Sequence, residues 1–324
     1  MSDSYFPILY SSSFSGLSTP PCLHNANARA ITQSILNPNS SPSISPNISP
    51  NSVGITDKYS DYGLNGTNVV IGVADSGVDE GHCYFSNTPV GTGAGPVYGN
   101  PPFVPRSTYQ NPKTYDQYRK IIQYISNNAD SNGDYYNGHG THVVGTLAGY
   151  DVEKDSDTAS GSNMNKGMAP NAKIAFYDIL NTNQEVIIPY DLSNDMFAVA
   201  YQAKARLHSN SWAGGYWYDS LCQEVDNYLF ENPDFLIFFA AGNTRNGITK
   251  EHSVLSPSLS KNAVSVGASV NELLNEGVVA SFSNIGEMNT SISYYILFFE
   301  TKNSKNIVLS IYQNLYIPSL HCFV

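Results

Sequence analysis

The sequence predicts an α/β fold, a doubly wound and mostly parallel sheet with helices on both faces, and two observations predict it. Short, nearly unbroken apolar runs recur along the middle of the chain. Such runs mark strands buried on both faces, whereas strict alternation would mark a sheet with one wet face. Between them lie segments whose apolar residues recur every three or four positions, the spacing of a helix with one buried face. Strand and helix in alternation give parallel strands joined by helical crossovers.

Taken in order, NVVIGVAD (68–75), AKIAFYDI (172–179), FLIFFAAGN (235–243) and AVSVGAS (263–269) are the strand candidates. NGHGTHVVGTLAG reads as a loop entering a helix from His139 to Ala148, with Gly149 as its stop signal. Leu192, Met196, Val199, Ala203 and Leu207 fall at helical spacing. Leu221, Val225 and Tyr228 repeat that pattern after Asp219–Ser220, a capping pair. No internal repeat is present.

The 324 residues suffice for one large α/β domain with extra segments. Residues 37–52, NPNSSPSISPNISPNS, hold too few apolar side chains to offset the entropy of ordering them and read as a linker. This divides the chain into an N-terminal extension over 1–55, a domain over 56–286 and a tail over 287–324 of different composition. Gly91 to Pro112, rich in Gly, Pro and Asn, reads as a long surface insertion.

The net charge of −11 arises from a charged fraction of only 13%, without acidic blocks, and gives no bias toward nucleic acid or an anionic membrane. YYILFF is too short to span a bilayer before ETKNSK follows. Cys22, Cys83, Cys222 and Cys322 have no CxxC spacing, so no zinc knuckle or redox pair is implied; Cys83 and Cys222 read as small buried apolar residues. The first residues lack a basic stretch followed by an apolar one, so no secretory signal is read there, and the sequons at Asn39, Asn47 and Asn65 carry weight only on a secreted chain.

In an open parallel sheet the functional crevice lies beyond the carboxyl ends of the strands, so the residues at which the runs stop are the ones to inspect. The first run stops at Asp75, HSNSW stops near Ser211, and LIFFAAGN stops at Asn243, while His139 stands at the first turn of its helix. An acid, an imidazole and an amide are three of the parts that acyl transfer needs.

DSGVD, GHGTHVVG, SNSWAGG and FFAAGN, in this order, resemble the motifs of the subtilases, with GMAPNAKI and SPSLSKNAVSVGAS…VVASFSNIG extending the likeness. The resemblance implies serine endopeptidase activity on peptide or protein substrates. It makes Asp75 the triad acid, His139 the triad base, Asn243 the oxyanion donor and His142 a structural histidine. Ser211, Trp212 and Gly214 fall in the segment that pairs with a substrate backbone, a form of strand addition. Structural calcium and secretion are further implications of the family, although no ligand cluster or signal in the sequence establishes either.

After Gly286 the family pattern calls for a Gly-Thr-Ser-Met-Ala segment, which the sequence does not contain. Ser291, within Asn289-Thr290-Ser291-Ile292-Ser293, is the nearest imitation. It follows Phe282 too closely for an intervening strand and turn, and the YYILFF after it reads as a strand rather than a small-residue helix. The expectation is therefore a domain truncated before its serine, followed over 287–324 by a tail unrelated to the family, and inactive as it stands. Two alternatives compete: a peptide-binding protein without turnover, and a metal-dependent hydrolase using Asp75, Asp79, His82, His139 and His142 as ligands.

Overall fold

The computed structural model describes residues 64–82, 84–85, 103–126, 133–134, 138–150, 167–181, 183, 185–243, 253–270, 279–286, 296–301 and 308–310. The N-terminal extension with its linker, residues 91–102 of the expected insertion, and Ser291 lie outside them. Eight strands, β1 (Val70–Asp75), β2 (Ile121–Ser126), β3 (Lys173–Asp178), β4 (Ala205–Asn210), β5 (Leu236–Ala240), β6 (Val264–Val270), β7 (Ile296–Thr301) and β8 (Val308–Ser310), form one sheet in the order β2-β3-β1-β4-β5-β6-β7-β8. All neighbours pair in parallel except β7 and β8.

Among the described residues three helices pack on this sheet: α1 (His139–Ala148), α2 (Ala198–Gln202, preceded by a π turn over Ser193–Phe197) and α3 (Ser220–Glu231). The period-two geometry of the strands sorts their side chains onto two faces. Ile71 and Val73 of β1 and Ile174 and Phe176 of β3 pack with Val144 and Ala148 of α1. Ala74 and Tyr177 point the other way, into a cluster with Met196, Phe197, Val199, Val225 and Tyr228 from the α2 and α3 side. Helices thus cover both faces of a mostly parallel sheet, which is why the β1 and β3 sequences are apolar almost throughout.

The predicted runs at 68–75, 172–179, 235–243 and 263–269 contain β1, β3, β5 and most of β6, and YYILFF contributes to β7. Ser265 of β6 aligns with Ile296 and Val270 with Thr301, so the sheet continues past Gly286. Leu207 lies in β4, not on the helix that its spacing predicted. The helix stops at Gln202 because Lys204 takes a left-handed conformation with φ 74°. The chain then enters a strand in which Ala205, His208 and Asn210 are buried, Leu207 and Ser209 half-buried and Arg206 exposed.

Part of the expected surface insertion packs against the sheet. Ser107 brackets the β2 edge, donating its N–H to the Tyr124 carbonyl at 3.0 Å and accepting from the Ser126 N–H at 2.9 Å, while Val104 is buried. Nearby, Arg106 pairs with buried Glu80 and lies 3.5 Å above the centre of the Tyr124 ring, whose hydroxyl donates to Asp178 at 2.9 Å. A buried guanidinium is tolerated there because a carboxylate and a ring face replace its water. The capping pair expected at the start of α3 acts through its aspartate: the Asp219 carboxylate accepts from the Leu221 and Cys222 N–H groups. Cys222 itself is a buried free thiol. Among the described residues no helix is long and apolar enough to cross a membrane.

Gly72 allows β1 and β4 to meet at His208. A Cβ at position 72 would lie 2.3 Å from His208 Cδ2, and the imidazole also packs against Phe197, edge-on at 5.2 Å. Burial pushes the His208 pKa down to about 3, so the ring is neutral. Gly72→Ala is expected to destabilise the fold by about 1–3 kcal/mol through overpacking. Urea unfolding checks this, and an unchanged midpoint would refute the tight approach.

Candidate active site

Strand β1 lies inside the sheet between β3 and β4, and successive connections run to opposite sides of it, which makes its carboxyl end a topological switch point. Asp75 is the last residue of β1 and is 2% exposed. Its Oδ1 accepts from the Ser76 N–H at 2.7 Å and lies 2.7 Å from His139 Nδ1. The acid and base read from the sequence are therefore in direct contact, although 64 residues separate them.

His139 reaches Asp75 because α1 starts almost on top of the end of β1. A Cβ at Gly140 would lie 2.1 Å from the Gly77 carbonyl oxygen, and Gly138 turns into the helix at φ 66°. Glycine at both positions is what the GHG sequence supplies. Gly138 has no side chain to cap the helix, so the first-turn donors find partners elsewhere. The Gly140 N–H donates to Ser76 Oγ at 3.0 Å, and the Thr141 N–H donates to Asp134 Oδ2 at 2.7 Å. Thr141 Oγ1 accepts in turn from the Asp79 N–H at 2.9 Å.

The negative charge of Asp75 raises the His139 pKa to about 9, against a lowering by burial; the hydrogen bond to Asp75 and the Asp134 charge add smaller increases. The imidazole side chain retains 30% of its exposure, so it can meet a solute while its Nδ1 faces the buried acid. In its neutral form, an imidazole fixed in one tautomer by a carboxylate can accept a proton at its other nitrogen and return it later.

Asn243 stands beyond β5, two strands from β1 in the same parallel set, so it lies at the same carboxyl edge and is exposed. Gly242 before it has φ 113°, and a Cβ there would lie 2.4 Å from the buried Asn284 amide. Ser211 follows β4 directly and is half-buried. Gly214 donates its N–H to the Ser256 carbonyl at 2.8 Å, and the Gly215 carbonyl accepts from the Ser256 N–H at 2.7 Å, so this end of the segment is tied to the backbone of Ser256.

Trp212 turns its side chain away from the crevice. Its indole is buried in the core and packs edge-on against Phe239 at 5.4 Å, because the inward–outward alternation of β4 carries on through Ser211 to Trp212. Only its backbone is left to face a peptide. His142 is exposed on α1 and donates its N–H to the Gly138 carbonyl. Among the described residues no three His, Cys, Asp or Glu side chains gather as metal ligands, so the five-residue metal cluster does not assemble.

Two participants escaped the sequence reading: the Ser76 hydroxyl and Asp134. An acid a few residues before a helix start is an available capping signal, but DSNGDYYNG offers Asp130 and Asp134 alike, and only the folded chain selects between them.

A buried carboxylate orienting an imidazole at the carboxyl edge of a parallel α/β sheet defines a hydrolase type of site. The sequence profile of the Subtilase family matches residues 66–311, and the chain belongs to that family of serine endopeptidases, whose substrates are proteins. The match runs past Gly286 and includes β7 and β8.

Among curated relatives, the serine protease/ABC transporter B family proteins tagD and tagB of Dictyostelium discoideum are each 36% identical, over 216 and 214 residues respectively. A third, tagA of the same organism, is 31% identical over 212 residues. Each alignment takes in 64% of this chain but 10% of the relative, so the chain spans a small part of their length. Solved structures include the prenylagaramide maturation protease PagA, with a TM-score of 0.46 and 16% identity over 76% of this chain and 68% of that one. A psychrophilic subtilisin-like protease from the Antarctic Pseudoalteromonas sp. AS-11 has a TM-score of 0.44 and 20% identity, over 68% and 39% of the two chains.

The raised His139 pKa fixes the sign of a stability effect. A histidine held at about 9 in the fold, against 6.5 when free, contributes stability that is fully present below about pH 6.5 and is lost as pH rises through about 9. The Tm difference between the native chain and His139→Gln is therefore expected to shrink across that window. Burial raises Asp134 from 3.8 to about 6, so its titration lies lower and separates from this one. A Tm difference that stays flat from about pH 6 to 10 would contradict the assignment.

Proposed function

We propose that this chain carries the acid–base half of a subtilase acyl-transfer site, with Asp75 orienting His139, His139 moving the proton, and Asn243 donating to the oxyanion. The hydrogen bond of 2.7 Å between Asp75 and His139, made at the switch point of the sheet, is the observation that supports this most strongly. A buried aspartate that faces an imidazole from behind stabilises the imidazolium formed when a hydroxyl nucleophile gives up its proton. An amide at the same edge of the sheet has the chemistry to stabilise the negative oxygen of the tetrahedral intermediate. The backbone of Ser211 to Gly214 would receive the peptide as an added strand.

The 324 residues contain no Gly-Thr-Ser-Met-Ala segment, and we propose that by themselves they hydrolyse little or no peptide. Purified chain is expected to resist labelling by a serine-directed fluorophosphonate, and stoichiometric labelling would refute this. Retention of a peptide without cleavage would instead favour a binding role. Sequencing the messenger RNA across the Gly286 codon tests the other half of the proposal. If it reads into a Gly-Thr-Ser segment, the longer product is expected to cleave protein substrates and to lose about 10²–10³-fold in kcat on Asn243→Ala. Unchanged kcat in that variant would remove Asn243 from the site.

A further inference from the structure

We infer that Asp134 is a positioning residue for the Asp75–His139 pair, acting through Ser76 and the first turn of α1. The inference rests on the role proposed above for His139 and adds the means by which that residue is held. Asp134 lies next to the exit of β1: a Cβ at Gly77 would be 2.6 Å from the Gly133 carbonyl oxygen and 2.9 Å from Asp134 Cα.

Its two carboxylate oxygens divide the work. Oδ2 accepts from the Thr141 N–H at 2.7 Å, fixing the first turn of the helix directly. Oδ1 accepts from the Ser76 hydroxyl at 2.8 Å. A serine hydroxyl has one proton and two lone pairs. With its proton committed to Asp134, Ser76 Oγ presents a lone pair to the Gly140 N–H at 3.0 Å. Asp134 therefore sets the rotor of Ser76 as well as holding Thr141, and the two donors that follow His139 are tied to the residue that follows Asp75, Gly140 directly and Thr141 through Asp134. The negative carboxylate also suits the positive end of a helix that lacks any acid in its own first turn.

Without the carboxylate, the Ser76 hydroxyl can rotate away and the Thr141 N–H loses its acceptor. The turn that carries His139 then loses its anchor to the end of β1. An asparagine at 134 can restore the geometry without the charge: its carbonyl accepts from Thr141, and its NH₂ donates to the second lone pair of Ser76.

Proton NMR of the full chain provides the test, through the low-field resonance of a His139 Nδ1–H held by Asp75 and through the titration midpoint of the same ring. The resonance is expected in the native chain and in Asp134→Asn, and is expected to be broadened or lost in folded Asp134→Ala. The His139 midpoint should fall further in Asp134→Ala than in Asp134→Asn, whereas a purely electrostatic role would lower both equally. A folded Asp134→Ala that keeps the native resonance overturns the inference. If that variant does not fold, Ser76→Ala decides, with loss of the resonance supporting the relay and retention refuting it. Asp75→Asn is the control for the underlying reading: persistence of the resonance there would overturn the Asp75–His139 pair itself, a failure distinct from that of Asp134.

Discussion

Everything at the site depends on how closely the start of one helix can approach the end of one strand. The Gly140 Cα and the Gly77 carbonyl meet where a methyl group would have no room, at 2.1 Å from the oxygen. This packing lets a carboxylate from the strand and an imidazole from the helix meet without either side chain stretching. The same approach forces the first helical N–H groups toward β1, where Ser76 and Asp134 meet them. Unpaired, these donors would have opposed the contact, since a buried N–H without an acceptor costs about as much as a lost hydrogen bond.

Much of this was legible in the sequence, and the reasons for the rest are physical. The apolar runs of β1, β3, β5 and β6 announce strands packed into the interior of the sheet, and Gly138 with Gly149 brackets α1 where the sequence predicts it. β4 was legible only at its end, in HSNSW, because ARLHSN carries polar residues inward, His208 and Asn210 among them. Leu207 consequently counted toward a helix that a left-handed lysine had already ended. β2 went unread as IIQYIS, whose Gln123 and Tyr124 are buried but polar. Asp75 and His139 could be identified because strand ends and helix starts are local features. The Ser76–Asp134 connection depends on side chains 58 positions apart, and no local pattern encodes that meeting.

Charged groups buried beside the sheet are accompanied. Lys120, 2% exposed, directs its ammonium to the Pro170 and Ala172 carbonyls, and burial brings its pKa down to about 7. Glu80 has Arg106, whose guanidinium rests on Tyr124. These contacts join the segment before β2 to β1's exit and to the turn into β3. The Arg106 contact acts on the side where β1 ends, whereas Lys120 acts at the opposite, amino edge of the sheet, where β2 and β3 begin.

The place of β1 in the sheet has a consequence for how the chain is made. One neighbour, β3, begins only at Lys173, and the other, β4, ends only at Asn210. A ribosome delivers these segments one after another, and domains condense as their parts emerge. Asp75 thus remains without its full surroundings until well over a hundred further residues have been added. Pairings of such long sequence separation are slow to form. The hydrophobic β1 therefore waits as an unpaired strand until both of its neighbours have been made.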